Sequence, residues 1–124
     1  MTRFTLVLLA SALACAPAAS ARRVVPPSVS SSEARSALGH LARLTGTVVQ
    51  VKDHAHRGFA YLNFDARFPD QTFSVLIPDS AVARFGDLTR FEGHLVRATG
   101  ILWLQDGKTP AMTVTDPVAL ELLP

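Results

Sequence analysis

From Leu44 onward, hydrophobic positions recur every second residue, which is the period of a strand with one face against a core. LTGTVVQVK, from Leu44 to Lys52, is a β-branched run with a glycine near its start. Phe59 to Ala66 alternates, with Leu62 and Phe64 on one side and Tyr61, Asn63 and Asp65 on the other. Thr72 to Ile77 alternates again, with Phe73, Val75 and Ile77 on one face. His94 to Gln105 puts Val96, Ala98, Leu102 and Leu104 on one face, and Arg97, Thr99, Ile101 and Trp103 on the other. Asp106-Gly107-Lys108 is a hairpin signal, Ala111 to Thr115 is the last clear strand, and Val118 to Leu123 closes the chain apolar.

Between the third and fourth strands, Pro78-Asp79-Ser80 stops one element and offers helix-capping side chains. A short helical region follows, broken near Gly86 and ended by Gly93. Upstream, SSEARSALGHLARL has apolar residues at Ala34, Leu38 and Leu41 in helical spacing, with Ser32 as a cap and Glu33 in the first turn. The order is β-β-β-α-β-β after a short N-terminal helix. The pairs Thr45-Gly46 and Thr99-Gly100 sit inside the first and fourth strands, where a glycine lets a strand bend into a small closed barrel. This layout is that of an all-β, five-stranded Greek-key barrel. A small β-sandwich is the other architecture open to such a pattern.

The first 21 residues stand apart. Met1-Thr2-Arg3 carries a positive charge, and Phe4 to Ala14 is an apolar run too short to span a bilayer as a mature helix. Ala19-Ser20-Ala21 presents small residues in cleavage-site spacing, so residues 1–21 are expected to be an export signal, with the mature chain periplasmic or secreted. Cys15 allows a second reading. Following Ala12-Leu13-Ala14, it resembles a bacterial lipoprotein box, in which the signal ends before Cys15 and the cysteine is lipidated, anchoring the protein to the envelope. Either way no disulfide is expected, because the chain has one cysteine. Residues 22–32, RRVVPPSVSSS, are expected to be a flexible tether, and residues 33–124 the folded domain. No transmembrane helix is expected in the mature chain.

Charge narrows the function. From Leu41 to Pro124 there are eight lysines and arginines against nine aspartates and glutamates. The domain thus lacks the broad basic footprint of most nucleic-acid binders, and any such binding must rest on local placement.

The segments TGTVVQVK, FAYLNFD, PDQTFSVLIP, FEGHLVRATGILWLQDGKTPAM and a closing TDP together resemble the OB-fold nucleic-acid-binding family, in particular small bacterial members of the tRNA-anticodon/helicase-type class. The resemblance implies a binding face over the second and third strands. It also implies that two loops flank that face, residues 53–58 and residues 105–110. Base stacking needs aromatics and the backbone needs cations. The outward candidates are Lys52, Arg57, Phe59, Tyr61, Asn63, Arg97 and Trp103. The expected function is a non-catalytic binding module for single-stranded nucleic acid or another polyanion. An envelope protein-interaction domain, or one taking a peptide or glycan, is the alternative.

His54 and His56, two apart beside Asp53, are the candidates for a metal. In a strand that spacing puts both rings on one face, but in a turn it guarantees nothing, and a zinc site needs three or four ligands. The expectation is solvated turn histidines, with no metal and no cofactor. Ser74 and Ser80 lack a marked base or orienting acid, and no G-x-S-x-G or phosphate-loop motif is present, so no enzymatic activity is expected.

Overall fold

The computed structural model describes residues 25–54 and 58–124. Seven strands belong to one sheet: β1 (Ser28–Ser30), β2 (Leu41–His54), β3 (Phe59–Phe64), β4 (Phe73–Pro78), β5 (Leu95–Gln105), β6 (Thr109–Thr113) and β7 (Leu120–Leu122). Five of them close a ring in the order β2-β3-β4-β6-β5, since β5 pairs back onto β2. Every pairing in the ring is antiparallel except β4 with β6. Strands β2, β3 and β4 are successive neighbours and β5 returns beside β2, which is a Greek key. A one-turn helix, α1 (Asp79–Val82), and a 3-10 turn (Leu88–Phe91) separate β4 from β5. The protein is therefore an all-β, barrel-like domain.

The long strand β2 makes closure possible. Its first half pairs with β5 from Leu41 to Thr47, and its second half pairs with β3 from Val48 to His54. The register shifts between Val48 and Gln50, where an irregularity bends the strand from one partner to the other. The alternation then delivers one face of each strand to the interior. Leu44, Val48, Leu62, Phe64, Phe73, Val75, Ile77, Val96, Leu102 and Met112 are all buried there. Phe64 and Phe73 are cross-strand partners whose rings meet edge to face at 5.0 Å. Burying each ring contributes about 1.5–3 kcal/mol before packing terms. Phe85, Leu88 and Phe91 join the same core from the segment between β4 and β5.

Several elements differ from expectation. The N-terminal segment is a 3-10 helix over Ser31–Ala37, kinked at Glu33, rather than an α-helix reaching Leu41. Leu38 and Gly39 leave the helix, and the backbone of residues 39–40 pairs with Leu102: Gly39 N donates to Leu102 O at 2.8 Å, and Leu102 N to His40 O at 3.2 Å. Leu41 then opens β2 opposite Ile101. The ladder to β5 outweighs the local helical spacing. The expected tether also holds structure, because Ser28–Ser30 runs parallel to β2 in register with Arg43–Thr45. The last ring strand is Thr109–Thr113 rather than residues 111–115. Asp106 and Gly107 both have positive φ and Lys108 N donates to Gln105 O, a two-residue type I′ turn that starts the ladder at Gln105 and Thr109. Leu104, read as core-facing, is 37% exposed.

The two mid-strand glycines serve close approach. A Cβ on Gly46 would fall 1.8 Å from Ser31 Oγ, and one on Gly100 would fall 2.9 Å from Met112 Cγ and Sδ.

Candidate binding cleft

Tyr61 and Asn63 face outward from β3. Their neighbours on that face are Lys52 and Gln50 of β2 and Leu76 and Ser74 of β4. The chain between β3 and β4, residues 65–72, folds back over this outer layer. Asp65 starts the turn at φ 69°, and its carboxylate accepts from Ser31 Oγ at 2.6 Å and from Thr72 Oγ1. Further along, Phe68 N donates to Gln50 Oε1 at 2.9 Å, and Lys52 Nζ stands 4.6 Å from the centre of the Phe68 ring. Beneath this loop a polar chain is satisfied internally. Ser74 Oγ donates to Asn63 Oδ1 at 2.8 Å, and Asn63 Nδ2 donates to Gln50 Oε1 at 3.0 Å.

A cleft of about 390 Å³ opens between that loop, β3 and the β5–β6 hairpin. Tyr61 and Asn63 form its floor beside Lys52. Phe68, Pro69 and Gln71 form one wall, and Gln105, Asp106, Lys108 and Thr109 the other. Two lysines and one aspartate line it, so its charge is mildly positive. The hairpin wall is held from behind by Arg35, whose guanidinium donates to the Lys108 carbonyl. The N-terminal 3-10 helix therefore touches both walls, through Ser31 at one and Arg35 at the other. The buried Gln71 Oε1 has no hydrogen-bond partner among the described residues.

The structure brings together Lys52, Tyr61 and Asn63 with the predicted 105–110 loop. Asn63 sits on the polar side of its strand as expected, but it is 2% exposed rather than open to solvent, because the 65–72 loop covers it. Phe59 is half-buried opposite His54 and Pro78 and is not in the cleft lining. Arg97 lies elsewhere, its Nε 2.8 Å from Glu121 Oε2 of β7. Trp103 is on the outer side of β5 opposite Ala111, also outside the cleft lining. Arg57, His56 and Cys15 lie outside the described residues, as does the expected export signal. His54 enters only as the last residue of β2. Among the described residues no three histidine, cysteine, aspartate or glutamate side chains gather where they could hold a metal.

Phe68, Pro69 and Gln71 were missed by sequence reasoning. The available signal was an aromatic beside a proline inside a polar turn, with no alternating pattern to send it inward. Phe68 is 60% exposed at the cleft wall.

No protein-family model matches the chain, and no curated protein matches it.

Proposed function

We propose that the chain is an exported, non-catalytic binding module on an OB-fold barrel, and that its cleft takes single-stranded nucleic acid or another polyanion. The observation that carries this reading is the convergence of Lys52, Tyr61 and Lys108 in one cleft over the outer face of the second ring strand, β3, with Lys52 from the neighbouring β2. One wall is the 105–110 loop that the family resemblance implies, whereas the other is formed by the 65–72 loop in place of the expected residues 53–58. The five-strand ring, with its short helix between the third and fourth ring strands, supports the OB-fold assignment. The lysines meet phosphate charge, and Tyr61 and Phe68 offer ring faces for a base. The export reading rests on residues 1–21, with lipid anchoring through Cys15 as its other form.

Two lysine contacts predict a shallow salt dependence. For single strands the slope of log affinity against log salt is about −0.7 per contact, so two contacts give about −1.4 and a loss of about sevenfold between 50 and 200 mM salt. Fluorescence anisotropy with mixed-sequence oligonucleotides tests this. Lys52→Ala is expected to lower both the affinity and the slope, and Tyr61→Ala the affinity alone. Absence of binding at about 50 mM salt, where phosphate contacts are strong, removes the reading.

One observation favours the alternative, an envelope protein-interaction or peptide- or glycan-binding domain. At about 390 Å³ the cleft has the size of a small-ligand pocket rather than a long groove, and Gln71, Gln105 and Thr109 give it neutral hydrogen-bonding walls. An envelope partner whose cross-link is lost on Tyr61→Ala, with no oligonucleotide binding, selects that reading.

A further inference from the structure

The N-terminal 3-10 helix lies outside the five-strand ring and is packed against it. Ser31, Ala34 and Ala37 form its buried side. Their spacing of three is the period that stacks side chains on one face of such a helix. Gly46 of β2 allows the close approach, because a Cβ there would overlap Ser31. Small residues packed this closely leave the helix little room to slide, so it is a fixed point on the barrel.

From that fixed point it reaches both walls of the cleft. Ser31 Oγ donates to Asp65 Oδ2 at 2.6 Å, and the same oxygen accepts from Thr72 Oγ1. Asp65 and Thr72 are the two ends of the 65–72 loop, so one carboxylate closes the base of that wall and ties it to the helix. Four residues on, the Arg35 guanidinium donates to the Lys108 carbonyl in the opposite wall. Residues 106–108 are exposed, and this bond fixes the backbone that carries the Lys108 side chain of the cleft. Ser31 and Arg35 are not themselves in the cleft lining.

We propose that Ser31 and Arg35 are positioning residues of the cleft, which hold its two walls at the separation a ligand meets without touching the ligand. The inference rests on the cleft being the oligonucleotide site. A wall that is already ordered needs no ordering on binding. A released wall must be ordered by the ligand, so loss of either bond is expected to weaken binding about two- to tenfold. The rival role for Arg35 is a direct phosphate contact. Such a contact adds about −0.7 to the slope of log affinity against log salt for a single strand, whereas a positioning residue leaves the slope unchanged.

Hydrogen exchange of the full chain, read by mass spectrometry, tests the walls without ligand. Arg35→Met keeps the stem of the side chain and removes its donors. It is expected to speed exchange in residues 105–110 and to leave residues 65–72 unchanged. Ser31→Ala is expected to do the reverse. Arg35→Lys, which keeps a donor, is expected to restore most of the protection. Arg35 is exposed, so thermal melting of both its variants is expected to stay near that of the wild type. Anisotropy with mixed-sequence oligonucleotides then reads the loss of affinity at an unchanged salt slope. Unaltered exchange at 105–110 in Arg35→Met overturns the proposal. Faster exchange with full affinity also overturns it, because wall position then does not govern binding. A slope reduced in magnitude by about 0.7 makes Arg35 a phosphate contact and overturns it too. A wild-type chain that binds no oligonucleotide removes the polyanion reading, and the exchange result alone then upholds or overturns the hold on the walls.

Discussion

Gly46→Ala tests how the N-terminal segment is held against the barrel. The added methyl would lie 1.8 Å from Ser31 Oγ, 2.6 Å from Ser31 Cβ and 3.1 Å from Phe64 Cδ2. Ser31 is 2% exposed and its hydroxyl is committed to Asp65, so a rotamer change does not relieve the clash. The 3-10 helix must move outward, which breaks the Ser31–Asp65 hydrogen bond. Overpacking of this kind costs about 1–3 kcal/mol, and a hydrogen bond to a charged acceptor about 1.5–3 kcal/mol. Together they predict a loss of about 2.5–6 kcal/mol for Gly46→Ala. Ser31→Ala does not rescue the variant, because its Cβ remains at 2.6 Å, whereas Ser31→Gly removes both offending atoms. The Gly46→Ala/Ser31→Gly double variant is therefore expected to be about 2.5 kcal/mol or more above the stability that the sum of the single losses predicts, because both single variants lose the same hydrogen bond and the double variant has no clash with Ser31. Urea unfolding followed by circular dichroism measures it, and each kcal/mol corresponds to about 4–8 °C in melting temperature for a domain this small. Additivity within about 0.5 kcal/mol would refute the steric account.

Asn63→Ala leaves the fully buried Ser74 hydroxyl without its acceptor, and a loss of about 1–3 kcal/mol is expected in the same unfolding assay. Adding Ser74→Ala is expected to recover part of it. Arg97→Ala breaks an ion pair whose side chains are 33% and 51% exposed, so it is expected to cost under about 1 kcal/mol, and less in high salt. Oligonucleotide titration of that variant is expected to match the wild type, because Arg97 is not in the cleft. Asp87 is held below the ordinary aspartate value of 3.8 by hydrogen bonds from the Thr89 hydroxyl and then the Thr89 backbone N–H. A depressed folded-state pKa contributes stability above the ordinary value and loses it as pH falls through the depressed one. Asp87→Ala is accordingly expected to melt below the wild type at neutral pH, and the gap to close as thermal scans are taken below pH 3.8.

The alternation was legible because it is local. The inward residues of the second, third and fourth ring strands, from Leu62 and Phe64 to Val96 and Leu102, could be read from a period of two. The Asp106-Gly107 turn could be read from its own two residues, since positive φ at both positions suits that pair. The cleft was half legible. Lys52, Tyr61 and the 105–110 loop could be placed through the strand order. Phe68 and Gln71 could not, because nothing in an eight-residue polar turn states which way it folds back. The same fold-back decided that Asn63 is a buried hydrogen-bonding residue rather than an open one.

The sequence by itself determined an all-β domain, the order of its five ring strands and which side of the second, third and fourth of them faces the core, since apolar burial follows the pleat residue by residue. Only the tertiary structure decided that Leu41 opens a strand rather than ends a helix, that Gly46 and Gly100 make room for Ser31 and Met112, and that Arg97 and Trp103 lie outside the cleft lining. Each of these depends on a partner distant in the chain, on β5, β6 or β7 or in the segment before β2, and such pairings are set by closure of the ring rather than by neighbouring residues.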